Sequence, residues 1–84
     1  MIAMKNDIQC LPQIVRYHRK KSRLSQRQLA ELAGIGKTAV FDLEKGKQTI
    51  QLDTIRKILA VLNLTIRFES PLMEQFQQHT KEDE

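Results

Sequence analysis

The stretch from Ser25 to Gly34 carries both ends of a helix in its own residues. Ser25-Gln26-Arg27-Gln28 has the capping-box pattern. The serine hydroxyl can accept from the backbone N–H three residues on, and the glutamine there can reach back to the serine N–H. Gly34 can take positive φ and so end the helix. Leu29, Leu32 and Ala33 line one face between these marks. A chain built around this stretch is committed to short helices joined by tight turns.

The flanking residues continue the pattern. From Cys10 to Ser22, Leu11, Ile14, Val15 and His18 recur at helical spacing, and Pro12 is tolerable only in a first turn. A third helix is expected from Gly36 or Lys37 to about Glu44, with Val40 and Leu43 inward and Lys45-Gly46-Lys47 closing it. Leu52, Ile55, Ile58, Leu59 and Leu62 define a fourth, with Asp53 favourably placed in its first turn. The period then changes. Leu64-Thr65-Ile66-Arg67-Phe68-Glu69 alternates apolar and polar residues, a strand pattern closed by Ser70-Pro71.

No second strand candidate exists. A lone strand leaves its backbone groups unpaired, so its simplest partner is the same strand of a second copy. A short fifth helix or an irregular tail is the alternative. Residues 1–8 are expected as a flexible arm, 9–63 as the domain, 64–70 as the dimerisation strand and 71–84 as a flexible acidic tail.

Charge divides along the same line. Of 84 residues, the first 50 carry ten Lys and Arg against four Asp and Glu, or +6. The rest carry four against six, or −2. An anionic partner is expected on the first half. Arg16, Arg19, Lys20, Lys21 and Arg23 at the end of the first helix either complement its dipole or meet phosphate.

Other classes are excluded by what the chain lacks. Cys10 is its single cysteine, so no internal disulfide forms and a cytoplasmic setting is the simpler expectation. No membrane span or secretory leader is expected, and no small-molecule substrate. His18 and His79 have no second ligand at metal-binding spacing, so no metal or other cofactor is expected. Gly34-Ile35-Gly36-Lys37-Thr38 resembles the end of a phosphate-binding loop. The required first glycine is missing, because Glu31 stands there, and a helix precedes it instead of a strand. No nucleophile–base pair or carboxylate pair is spaced for catalysis, so an enzyme is not expected.

Two short helices joined at Gly34 form the helix-turn-helix pattern. Gln26, Leu29, Ala30, Gly34, Ile35, Val40 and Leu43 fall at its key positions. Ala30 is small where the helices cross, and Ile35, Val40 and Leu43 lock the second helix. Lys37, Thr38, Phe41, Asp42 and Lys45 are left facing outward.

Leu24 to Ile35, Val40 to Lys47 and Leu52 to Ile55 together resemble the Xre family of phage-repressor and Cro-like helix-turn-helix proteins. The likeness covers roughly residues 11–63. After helix four, Leu62 to Phe68 resembles the HipB-type antitoxins of HipA-kinase toxin–antitoxin systems, in which a strand pairs across a dimer. The resemblance implies a mainly α, four-helix repressor-like domain with one C-terminal strand, and a homodimer on a double-stranded DNA operator. It implies a repressor that autoregulates its operon and neutralises a HipA-like kinase. A stand-alone Xre or phage-type regulator, or an interaction antitoxin with weak DNA binding, is the alternative.

The same resemblance assigns roles by position. Gln26 matches a phosphate-binding glutamine. Gly36, Lys37, Thr38 and Phe41 match base-reading positions. Gly36 can offer only backbone there, and Phe41 replaces a usual small polar residue. Phe41 could meet a thymine methyl or turn into the core. Lys37 could reach a guanine edge or a phosphate, and Thr38 could contact a base or cap the helix. Asp42 could accept from cytosine or pair with a nearby cation. Arg19 and Glu44 match a structural ion pair, while Lys45 and Lys47 are expected by their charge and place as sequence-independent phosphate contacts. Leu64, Ile66 and Phe68 match the dimer strand.

Overall fold

A computed structural model describes residues 7–83, with side chains to residue 79. Five α-helices follow one another: α1 (Leu11–Lys21), α2 (Gln26–Ala33), α3 (Lys37–Lys45), α4 (Leu52–Val61) and α5 (Met73–Asp83). The first four enclose the core of Val15, Leu29, Ala30, Val40, Leu43, Ile58, Leu59 and Leu62. Small aliphatic side chains fill it because helices this short must cross closely to exclude water.

The ends of the helices are set locally. Asp7 accepts from Gln9 N at 3.3 Å and starts a 3-10 turn, Ile8–Cys10, that leads into α1. The expected arm of residues 1–8 is therefore ordered from Asp7; residues 1–6 lie outside the described residues. Ser25 and Gln28 form the reciprocal cap of α2, at 3.0 Å and 2.8 Å. Ser25→Ala removes one acceptor and is expected to cost about 1 kcal/mol, a fall of about 4–8 °C in Tm by calorimetry.

Two inward assignments are corrected. Leu32 is 63% exposed. Because Leu29 and Ala30 are both buried, the packed face is centred between them. Leu32 falls roughly 110° from that centre at 100° per residue. Leu52 is also 63% exposed, although it is in phase with Leu59. It stands at the outer start of α4, beyond the cover of α1–α3.

The expected strand does not form within a single copy. Among the described residues Leu64–Glu69 forms no strand and has no regular secondary structure. One copy offers nothing for its backbone to pair with, so the alternating pattern alone makes no ladder. The segment drawn as a flexible tail contains α5 instead. A turn starts it: Leu72 N donates to Ser70 Oγ and Met73 N to Ser70 O, each at 3.2 Å. No helix among the described residues is long and apolar enough to cross a membrane.

Candidate DNA interface

Helices α2 and α3 are joined by Gly34, Ile35 and Gly36. Gly34 has φ 73°, where a side chain would be strained. Its N–H donates to Glu31 O at 3.2 Å, and Ile35 N donates to Ala30 O at 3.0 Å. These bonds close α2 and redirect the chain within three residues. Gly36 is the N-cap of α3 and supplies no side-chain cap. Lys37 and Thr38 follow as its first two helical residues, both exposed.

The burial of Val40 and Leu43 fixes which side of α3 faces water. Phe41 lies on that outer side, 44% exposed. Lys45, one turn on, places Nζ 5.1 Å from the centre of the Phe41 ring. A cation over a ring face is attracted by its quadrupole. Lys37, Thr38, Phe41 and Lys45 thus form one continuous outward stripe. Asp42 is half-buried at its edge, with Lys47 Nζ 3.7 Å from its carboxylate. That distance and exposure make it a weak pair, worth at most about 1 kcal/mol.

Behind the stripe is a buried polar lock. Arg19 Nε donates to Glu44 Oε2 at 2.6 Å, and Arg19 Nη2 to Oε1 at 3.0 Å. The side chains are only 10% and 5% exposed. Arg19 Nη1 donates to Leu24 O at 2.9 Å, and Gln26 Nε2 to Glu44 Oε1 at 3.2 Å. The Glu44 carboxylate thus joins the end of α3 to α1 and to the first residue of α2, and Arg19 extends the network to the loop before α2. The hydrogen bond it donates to Glu44 holds the Arg19 guanidinium above its ordinary pKa; burial opposes this and the Coulomb attraction adds to it. A raised basic pKa adds stability that is lost only as pH rises through it. The loss therefore falls in strong alkali.

The links from Glu44 to Gln26 and from Arg19 to Leu24 are absent from the sequence expectations. A signal for the first exists: Gln26 lies at i−4 and i−7 from Ala30 and Ala33, on the inward side of α2. Elsewhere on α1, His18 Nδ1 lies 2.7 Å from Ile14 O. Lys21 Nζ lies 5.6 Å from the centre of the Tyr17 ring.

These features define a helix-turn-helix with its second helix presented to solvent. A helix-turn-helix family model matches residues 15–68. The chain is 38% identical over 58 residues to an uncharacterized HTH-type transcriptional regulator, y4mF, of Sinorhizobium fredii. The match spans 69% of this chain and 76% of that protein. The chain belongs to the Xre-type helix-turn-helix family of transcriptional regulators.

Solved structures share the fold. An "MDT Protein" and the HipA-HipB-O2-O3 complex each contain a chain that superposes with a TM-score of 0.70 at 21% identity, covering 83% of this chain and 99% of the other. A complex of a HipB variant with an O2 20mer gives the same TM-score and identity, over 84% and 99%.

Proposed function

We propose that the protein is a homodimeric, sequence-specific transcriptional repressor that also serves as the antitoxin of a HipA-like kinase and autoregulates its operon. The observation that carries the DNA-binding part is the exposed stripe of α3, held rigid from behind by Arg19 and Glu44. A recognition helix must present base-reading groups without moving them, and a packed, cross-linked helix does so.

In this reading Lys37 and Thr38 meet base edges in the major groove, and Phe41 meets a thymine methyl. Gly36 lets the backbone approach the DNA. Gln26 reaches a phosphate from the start of α2, its amide oriented by Glu44. Lys45 and Lys47 meet phosphates and fix register. Asp42 keeps Lys47 near the groove edge.

The dimer is supported by apolar exposure. Ile66 is 42% exposed and Phe68 77%, beside Leu64 and Leu52. Pairing of the 64–70 segments about a two-fold axis gives each backbone a ladder partner and covers these side chains. Ile66→Pro removes a ladder donor from both copies. It is expected to leave the four-helix domain folded and yield monomer by light scattering; a mutant that stays dimeric counts against strand pairing.

The antitoxin role is supported by overlap with 99% of the chain in a HipA-HipB complex. Its test is co-purification with, and neutralisation of, a HipA-like kinase encoded next to this gene. Failure of both leaves a stand-alone regulator.

A further inference from the structure

The outward stripe of α3 carries one large apolar group among polar ones. Phe41 is 44% exposed, and Lys37, Thr38 and Lys45 around it are exposed as well. Lys45 Nζ stands over the ring, 5.1 Å from its centre. A cation so placed holds the ring in position, and the exposed remainder of the ring is offered outward.

A phenyl ring has no conventional hydrogen bond to give a base edge. In the major groove the group it suits is the C5-methyl of a pyrimidine. Against the bare C5 of cytosine or uracil it gains no such contact. The same methyl sits on the same carbon in thymine and in 5-methylcytosine.

The residues around Phe41 do not separate those two bases. They differ in the major groove at one group, the O4 acceptor of thymine against the N4 donor of cytosine. The Thr38 hydroxyl both donates and accepts, so it serves either. Asp42, the next residue, is half-buried at the edge of the stripe, with its carboxylate 3.7 Å from Lys47 Nζ. Lys37 carries donors only, which suit guanine O6 and N7.

Gly36 supports a close approach. Its φ of −74° suits any residue, and a Cβ there would meet nothing within 4 Å among the described residues. The protein's own packing does not require glycine at this N-cap. Its bareness leaves room for a partner outside.

We infer that α3 reads the C5-methyl of one pyrimidine in each half-site without distinguishing O4 from N4, so that DNA carrying 5-methylcytosine there is bound as thymine is and unmethylated cytosine is not. The inference rests on the DNA-binding reading proposed above and adds a base modification that controls it. Burial of one methyl group is worth about 4-fold in affinity, and about 15-fold where a dimer meets it twice.

The test compares wild type, Phe41→Leu and Phe41→Asn by fluorescence anisotropy on synthetic duplexes spanning the DNA upstream of the coding sequence. Thymine is replaced by uracil, and cytosine by 5-methylcytosine, at one symmetric pair of positions at a time. Each exchange changes only a methyl group. One pair is expected to change wild-type affinity about 15-fold, and Phe41→Asn less than about 2-fold. Phe41→Leu, which keeps an apolar side chain, is expected to retain most of the preference. At the mapped pair, 5-methylcytosine is expected to bind wild type about 15-fold tighter than cytosine. Far-UV circular dichroism confirms that both variants, altered at an exposed position, keep their helices.

Specific binding with no position where a methyl matters more to wild type than to Phe41→Asn overturns the methyl reading and leaves DNA binding standing. A thymine methyl that matters, with 5-methylcytosine no better than cytosine at the same position, overturns the role of the modified base. Absence of specific binding by the wild type overturns the inference and the reading beneath it together.

Discussion

Arg19→Met is expected to be the most damaging single substitution in the domain. It leaves Glu44, with its side chain 5% exposed, buried without its cation. Removal of one partner from a buried pair costs about 3–5 kcal/mol, because the remaining charge keeps its desolvation penalty. Most domains have only about 5–15 kcal/mol in total. Urea unfolding should therefore show loss of a large share of the stability, and Tm should fall by at least about 12 °C. The pair Arg19→Met with Glu44→Leu should recover most of the loss, since two apolar groups can replace a buried ion pair at little cost. A loss under about 1 kcal/mol for Arg19→Met would place the pair in effective contact with water and remove the rigid support assigned to α3.

The second large effect is expected on DNA affinity with no loss of fold. Lys37 and Thr38 are exposed. Joint replacement by Ala should change unfolding free energy by no more than about 0.5 kcal/mol. If Lys37 makes a good base contact, each half-site loses about 1–3 kcal/mol, and a dimer loses it twice. Specific binding should fall at least ~30-fold, while non-specific binding, set by the remaining cations, changes far less. Unchanged repression of its own promoter by the double variant, with kinase neutralisation intact, would mean that α3 does not read DNA.

The helix-turn-helix was legible in the sequence because its signals are local. Ser25 and Gln28 cap α2, Gly34 stops it, and the spacing of Val40 and Leu43 fixes the inner side of α3. Arg19 and Glu44 lie 25 residues apart, and only resemblance to a family placed them together. The spacing of Gln26 against Ala30 and Ala33 marks its inward side, but its bond to Glu44 and the bond from Arg19 to Leu24 were not legible, because such contacts depend on how three helices cross.

Leu32 and Leu52 show a different limit. Hydrophobicity gives the period of a face but not which part of it finds a neighbour. The 64–69 segment shows it again: alternation marks a willingness to pair, and pairing needs a second chain. Phe41 could not be assigned from its type alone. The burial of Val40 and Leu43 turns it outward, beneath Lys45.

The central claim, that this chain binds DNA through a cationic helix-turn-helix face, is tested most directly by a salt titration. Wild-type protein and a duplex spanning the DNA upstream of its coding sequence are assayed by filter binding between about 50 and 200 mM salt. A dimer that meets six or more phosphates should lose about 10³-fold or more in affinity over that range. Absent binding, or binding that salt leaves unchanged, would contradict it.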